Sequence, residues 1–371
     1  RKDNKEKLIR KKNMKARVIA IHLPQFYPFP ENDEWWGKGF TEWRNVTKAK
    51  PRFRGHYQPH LPADLGFYDL RLKECRIEQE KLAKEYGIDG FCYYHYWFNG
   101  HLLMEKPVEA KLANKDEDLP FMFCWANENW HRNWAGNYNE TLIEQHYSKQ
   151  DDIDHFNYLL PFFKDSRYIK IDGKPVFAIY RIGKIPDITN LVNTFQECAR
   201  KEGFELYICK VQDLNKSGFP KGLDASIEFP PFNMSQKMDS WRNHPLESIS
   251  RRFFHKTKGN KIFSYTKYVD DLISRKPFDL YKQYPTIMPS WDNACRRVGQ
   301  PFMAFVDGTP EKFGEWAEYV LSSFKPFSKE ENLVFINAWN EWAEGNHMEP
   351  DLKWGRGYLE ALKKATDKYN Y

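Results

Sequence analysis

The sequence predicts an α/β protein: a single (β/α)8 (TIM) barrel with long βα loops. Three observations carry this. Eight short apolar runs, rich in β-branched and aromatic residues, recur along the 371-residue chain. Amphipathic stretches at helical spacing fall between them. The residues leaving each run are polar or aromatic, as befits a barrel whose chemistry sits at the C-terminal ends of its strands. Eight strands close such a barrel, and no glycine-rich first turn favours the rival, an open doubly wound sheet.

The first strand is "RVIAIHL" (17–23), apolar on both faces as a parallel strand covered by helices tends to be. A long loop, roughly 24–68, leads to "DLRLKECRIEQEKLAKEYG" (69–87), a helix closed by Gly87. "GFCYYHY" (90–96) and "FMFCWA" (121–126) are the second and third strands, and "DIDHFNYLLPFF" (152–163) reads as a helix. "PVFAIY" (175–180), the helical "DITNLVNTFQECARKEG" (187–203), "LYICKV" (206–211) and "ASIEF" (225–229) continue the alternation. After a second long loop, 230–265, come helical "YVDDLISRK", strand "TIMPSW" (286–291), helical "EKFGEWAEYVLSSF", strand "LVFINAW" (333–339) and helical "GYLEALKKATDKY". Long βα loops are where a barrel builds its site.

Residues 1–15 form a basic tail ahead of a domain spanning 16–371. Much of the net charge of +6 lies in "RKDNKEKLIRKKNMKAR", so the body is close to neutral and charge alone does not indicate nucleic-acid binding. Aromatic residues make up 17% of the chain, with 13 Trp, yet mean hydropathy is -0.78. Flat apolar faces in a polar protein suit sugar rings or nucleobases, but here the basic charge is not interleaved with the aromatics, which favours a carbohydrate partner over a nucleic acid. No stretch reads as a membrane span or a secretory leader. The six cysteines form no C-x-x-C pair, and Cys92, Cys124 and Cys209 sit inside apolar runs. Free buried thiols point to a reducing compartment, hence the cytoplasm, with a periplasmic protein whose signal peptide has been removed as the alternative. Oligomeric state is not legible.

Each strand exit supplies candidate substrate-binding residues. They are His22, Gln25 and Tyr27 after the first, Tyr94, His95, Tyr96 and Trp97 after the second, and Trp125, Asn127, Glu128, Trp130 and Trp134 after the third. Tyr180 and Arg181 follow the fourth, Gln212 and Asp213 the fifth, Glu228 the sixth, and Trp291 and Asp292 the seventh. The eighth opens into "NAWNEWAEGNHMEPD", where Asn340 and Trp342 accompany two carboxylates, Glu341 and Glu344. Cleaving a glycosidic bond needs a proton donor for the leaving oxygen and a second group to assist the sugar carbon, and two carboxylates in different environments provide both. At i,i+3 this pair comes close if the chain turns helical, and the flanking tryptophans would raise the pKa of one acid. Glu341 and Glu344 are therefore the candidate catalytic residues. Glu341, Glu344, Trp125, Asn127, Glu128, His95, Tyr96 and Asp292 are expected to share one cleft.

The motif "WNEWAEG" resembles the signature of glycoside hydrolase family 99, the endo-α-mannosidases. Together with "LPQFYPFPENDEWWGKGFTEW", "HYQPHLPADLG", "GFCYYHYWF" and "FMFCWANENW", it is closer still to the related WbsX-like proteins of bacterial polysaccharide loci, often labelled glycosyltransferases. The resemblance implies a (β/α)8 barrel and a retaining, metal-independent glycosidase needing no cofactor. It implies that Glu341 acts as base on the sugar's own 2-hydroxyl, giving a 1,2-anhydro intermediate, and that Glu344 is general acid and then base.

The main alternative is a glycosyltransferase or transglycosylase of surface-polysaccharide biosynthesis. Asp152 and Asp154 in "DDIDH" have D-x-D spacing but open a helical pattern, where acids favour the dipole. "WGKGF" lacks the third glycine of a phosphate loop. His56 and His60 stand at i,i+4, but Pro59 between them argues against one helical face, so no metal is expected. No G-x-S-x-G elbow is present. A non-catalytic carbohydrate-binding protein would account for the aromatics, though not for the acid pair.

Overall fold

A computed structural model describes residues 15–131, 140–213, 218–232, 260–275 and 280–369. Eight parallel strands form the barrel wall: β1 Arg17–His22, β2 Gly90–Phe98, β3 Phe121–Trp125, β4 Lys174–Ile179, β5 Tyr207–Val211, β6 Ala225–Ile227, β7 and β8 Leu333–Ile336. β7 comes in two pieces, Gln283–Tyr284 and Thr286–Ile287. The first piece pairs with β6 and the second with β8, so the wall closes across the break. Pro285 lies at the break, because it has no N–H to give to a ladder. Its carbonyl still accepts from Phe335 N at 2.9 Å.

The seam between first and last strands is regular: Arg17 stands opposite Leu333 and Ala20 opposite Ile336, while Ile19 to His22 face Gly90 to Tyr93 on the other side. β2, β3, β5, β6 and β8 are buried at every position, which is why their sequences read as unbroken apolar runs. All eight runs anticipated from the sequence are barrel strands.

The helices, in chain order, are α1 Pro30–Trp36, α2 Glu42–Lys48, α3 Lys73–Glu85, α4 Lys106–Ala113, α5 Lys149–Lys164, α6 Ile188–Lys201, α7 Tyr265–Ser274, α8 Pro310–Ser323 and α9 Gly357–Tyr369. Side-chain caps start several of them: Ser148 accepts from Asp151 N, Asp187 from Asn190 N, Ser264 from Lys267 N and Thr309 from Lys312 N. Asp151 and Asp152 occupy the first turn of α5, so the D-x-D spacing belongs to a helix start.

Three helices, α1, α2 and α4, escape the sequence pattern. Each spans only seven or eight residues, too short to show a 3.6-residue period. Among the described residues no helix stands between β5 and β6. A parallel pair outside the barrel, Lys261–Ser264 with Met303–Val306, was also not foreseen. Cys92, Cys124 and Cys209 are buried in β2, β3 and β5 as free thiols. No helix among the described residues is long and apolar enough to cross a membrane. Residues 1–14, Trp134 and most of the second long loop lie outside the described residues.

Candidate active site

β8 ends at Ile336, and the chain then folds back on itself. Asn340–Glu341 pairs antiparallel with Asn346–His347, and a 3-10 turn, Trp342–Glu344, joins them. The chain thus turns helical for a single 3-10 turn, which together with the hairpin brings the i,i+3 glutamates to one guanidinium. Gly345 permits the return with φ 56°, and a Cβ there would stand 3.1 Å from the Asp292 carbonyl oxygen. Asp292 N in turn donates to Glu344 O at 2.5 Å.

One guanidinium holds both candidate catalytic carboxylates. Arg296, just past β7, donates from Nη1 to Glu344 Oε1 at 2.7 Å and from Nη2 to Glu341 Oε2 at 3.1 Å. Its Nε and Nη2 also reach Glu42 Oε2 on α2, at 3.2 and 2.9 Å. Glu42 is fully buried and Glu341 nearly so. Three carboxylates around Arg296, with Arg297 acting on Glu344 from nearby, leave an excess of negative charge out of water, which favours holding a proton. Burial pushes Glu341 up to about 8, opposed by Arg296 and reinforced by Glu344 and Glu42. Burial raises Glu344 as well, again opposed by Arg296.

A second buried layer supports the hairpin. Glu349 accepts from Trp342 Nε1 at 2.6 Å, Tyr68 Oη at 2.8 Å and Gln79 Nε2 at 2.6 Å, and burial pushes its carboxyl up to about 7. Asn340 clips the hairpin to the β1 exit, accepting from Leu23 N at 2.7 Å and donating to Leu23 O at 3.0 Å. Asp292 accepts from His56 Nε2 at 2.5 Å and Gln58 Nε2 at 2.8 Å. Because His56 Nδ1 accepts from Arg52 N at 2.9 Å, its Nε2 carries the hydrogen.

The two glutamates open onto a cleft of about 300 Å3 at the C-terminal ends of the strands. Tyr94, Tyr96, Trp130, Tyr180, Phe229, Phe232 and Trp291 form its aromatic lining, and Glu128, Asn129, His131, Asn293 and Arg297 its polar part. Trp130 meets Tyr96 edge-on, with centroids 5.4 Å apart. Of the residues singled out in the sequence, Glu341, Glu344, Tyr94, Tyr96, Glu128, Trp130, Tyr180 and Trp291 therefore come together.

The others stand behind this surface. His22 bonds Gln79 at 3.2 Å, and burial lowers its pKa to about 3. His95 faces His155 at 2.8 Å and is likewise lowered by burial to about 3. Trp97 donates to Asp151 and Trp125 to the Trp97 carbonyl. Asn127 bridges to the Arg181 backbone. Gln25, Tyr27 and Trp342 are buried, as are Asn340 and Asp292 with the bonds given above. Glu228 accepts from Thr286 N at 3.3 Å, beside the β7 break. Arg296, Glu42 and Glu349 were missed. Glu42 lies inside "WGKGFTEW" and Glu349 inside "NAWNEWAEGNHMEPD", stretches already notable, whereas Arg296 carried no signal in the sequence.

The model of the family described as Glycosyltransferase WbsX matches residues 18–362. Two curated relatives, the uncharacterized protein WxcX of two strains of Xanthomonas campestris pv. campestris, are each 38% identical over 357 residues. That alignment covers 95% of this chain and 50% of each relative, so the chain spans about half the length of these proteins. Among solved structures, one described as a glycoside hydrolase-like protein superposes with a TM-score of 0.59 at 17% identity, covering 96% of this chain and 95% of the other. The GH99 endo-alpha-mannosidase from Bacteroides thetaiotaomicron superposes with a TM-score of 0.54 at 12% identity, covering 95% and 97%. At such identities the two structures attest the barrel fold.

Proposed function

Because the chain belongs to the WbsX family, described as glycosyltransferases, we propose that it is a carbohydrate-active enzyme, a retaining glycoside hydrolase of a polysaccharide or oligosaccharide with Glu341 and Glu344 as its working pair. The observation that carries the reading is the arrangement of the two carboxylates. They share one guanidinium at the edge of an aromatic-walled cleft, beyond the C-terminal end of β8.

Glu344 gives its proton to the glycosidic oxygen as that bond breaks. Glu341 takes the proton of the sugar 2-hydroxyl while O2 closes on C1, forming a 1,2-anhydro sugar. Water then opens this ring at C1. Glu344 accepts the water's proton and Glu341 returns its own to O2, so two inversions leave the anomeric configuration unchanged. The aromatic walls supply apolar faces for sugar rings, and Arg296 keeps both acids within one electrostatic unit.

A transglycosylase in surface-polysaccharide assembly is the second reading, supported by the description of the family. It uses the same pair, with an acceptor hydroxyl in place of water.

The test is a screen of purified protein on polysaccharides and aryl glycosides, with and without nucleotide sugars, followed by proton NMR of the first product. Retained configuration and nucleotide-independent turnover are expected. An inverted first product would rule out the anhydro route, and strict dependence on a nucleotide sugar would rule out hydrolysis.

A further inference from the structure

We propose that His60, His347 and Asp351 form a binding site for one divalent first-row transition ion of the zinc class, clamping the loop after β1 to the loop after β8. The inference goes beyond the glycan chemistry and does not depend on it.

Three donor atoms converge, all within 4.8 Å of one another: His60 Nδ1, His347 Nε2 and an Asp351 carboxylate oxygen. His60 Nδ1 lies 3.0 Å from His347 Nε2, and Asp351 Oδ2 lies 3.8 Å from the same Nε2. The tautomer of His347 follows from its other nitrogen. Nδ1 is 2.9 Å from the Glu349 carbonyl, which can only accept, so Nδ1 carries the hydrogen and Nε2 of the neutral ring presents a lone pair. That lone pair looks toward a carboxylate oxygen. It also meets His60 Nδ1 at 3.0 Å, a hydrogen bond that an ion would replace by taking both lone pairs, while Asp351 Oδ2 at 3.8 Å is too far away to bond it. Ligand atoms on a tetrahedral zinc stand about 3.3 Å apart, so small side-chain shifts bring all three onto one ion.

The surroundings suit a metal. All three residues are buried. Burial also lowers the pKa of both imidazoles, which keeps them in the neutral, ligating form. The Glu349 carbonyl fixes one ring, as metal-bound histidines usually require. Asp351 Oδ1 is held by Lys353 N at 2.9 Å and Trp354 N at 2.6 Å, and the Tyr57 hydroxyl also hydrogen-bonds this carboxylate, which orients it toward the two rings. His60 stacks on Tyr57 and His347 on Trp342, with centroids 4.3 and 3.8 Å apart. A cavity of about 90 Å3 adjoins the three ligands and has room for a water as fourth ligand.

The test uses tag-free protein stripped with dipicolinate and titrated with ZnCl2 or CoCl2 alone. One equivalent per chain is expected, with the visible d–d bands of low-symmetry Co2+ and a higher melting temperature. His60→Gln and Asp351→Asn, checked for folding by circular dichroism, should each weaken Zn2+ binding by on the order of tenfold or more. The Co2+ spectrum of the unaltered protein decides the matter even if a variant fails to fold. Absence of one-equivalent binding by stripped protein, or folded variants that bind as well as the parent, would leave a bare His–His hydrogen bond and overturn the site.

Discussion

At the residue scale, Arg296 ties the chemistry of the two glutamates together. In the proposed mechanism Glu341 works ionised, as base, and Glu344 protonated, as acid. Burial raises Glu341 to about 8 and raises Glu344 too, so the pair holds protons at a pH where exposed carboxyls have lost theirs. kcat/KM should then follow a bell whose acid limb lies well above the ordinary carboxylate range, with both limbs belonging to the pair. Arg296 lowers both acids. Loss of its positive charge favours the neutral carboxyl, so Arg296→Met should move both limbs to higher pH, while Arg296→Lys should move them less. Arg296→Met should also cost about 3–5 kcal/mol in stability, because it leaves buried acids without their cation. A profile unmoved, or moved to lower pH, would show that Arg296 does not set these charges.

The roles of the glutamates separate on substrates with different leaving groups. Glu344→Gln should lose on the order of 10²–10⁴-fold on a poor leaving group and far less on an activated aryl glycoside, which departs without a proton. Glu341→Gln should be impaired on both, since assistance at the 2-hydroxyl is needed whatever leaves. If either variant retained near-normal activity on its natural polymer, Glu128, which also lines the cleft, would become the next candidate.

At the element scale, the hairpin after β8 depends on Gly345. Alanine there would combine a left-handed backbone, unfavourable by about 1–2 kcal/mol, with a Cβ 3.0 to 3.2 Å from Asp292 atoms. Gly345→Ala should lower the melting temperature and displace Glu344, with a matching fall in activity. Asparagine tolerates the left-handed region better but meets the same atoms, so Gly345→Asn should fail too; if it behaved like the parent, the contact would not matter. The hairpin also marks how far sequence reading reached. The eight strands were legible because each is an apolar run buried on both faces. Glu341 and Glu344 were legible because acids directly after such a run are conspicuous. The turn between them was not, since a 3-10 turn of three residues and a helix start look alike in sequence. Nor was it legible that His22, His95 and Asn127 face inward, because position after a strand does not reveal which way a side chain points. Arg296 stayed hidden because its three partners, Glu42, Glu341 and Glu344, are brought to it by two other loops.

At the scale of the whole molecule, buried histidines and buried carboxyls act against each other in the response to acid. His22 and His95 are lowered to about 3, and His60, His155 and His347 are lowered as well, all chiefly by burial. A group whose folded pKa is depressed contributes stability above its unfolded value, near 6.5, and loses it as pH falls. Raised carboxyls act oppositely: Glu341, Glu349 and Asp152, at about 8, 7 and 6, keep protons in the folded state that the unfolded chain releases above about 4.5. Glu344, Glu80, Glu105, Asp151 and Asp224 are raised as well, so on acidification the protons that the buried carboxyls hold offset those that the buried histidines refuse.

The cleft has two sides built differently. The side bearing the glutamates is knitted through Asn340, Glu349, Arg296 and Asp292 into strands and loops from both ends of the chain, so almost any change there disturbs several partners at once. The facing side, with Trp130, Tyr180, Phe229 and Phe232, presents aromatic faces on residues that follow β3, β4 and β6. Selection acting on such a molecule can rewrite what it recognises while leaving how it reacts untouched. A library confined to positions 128–131 and 229–232 should accordingly yield descendants that differ in preferred glycan yet inherit one reaction.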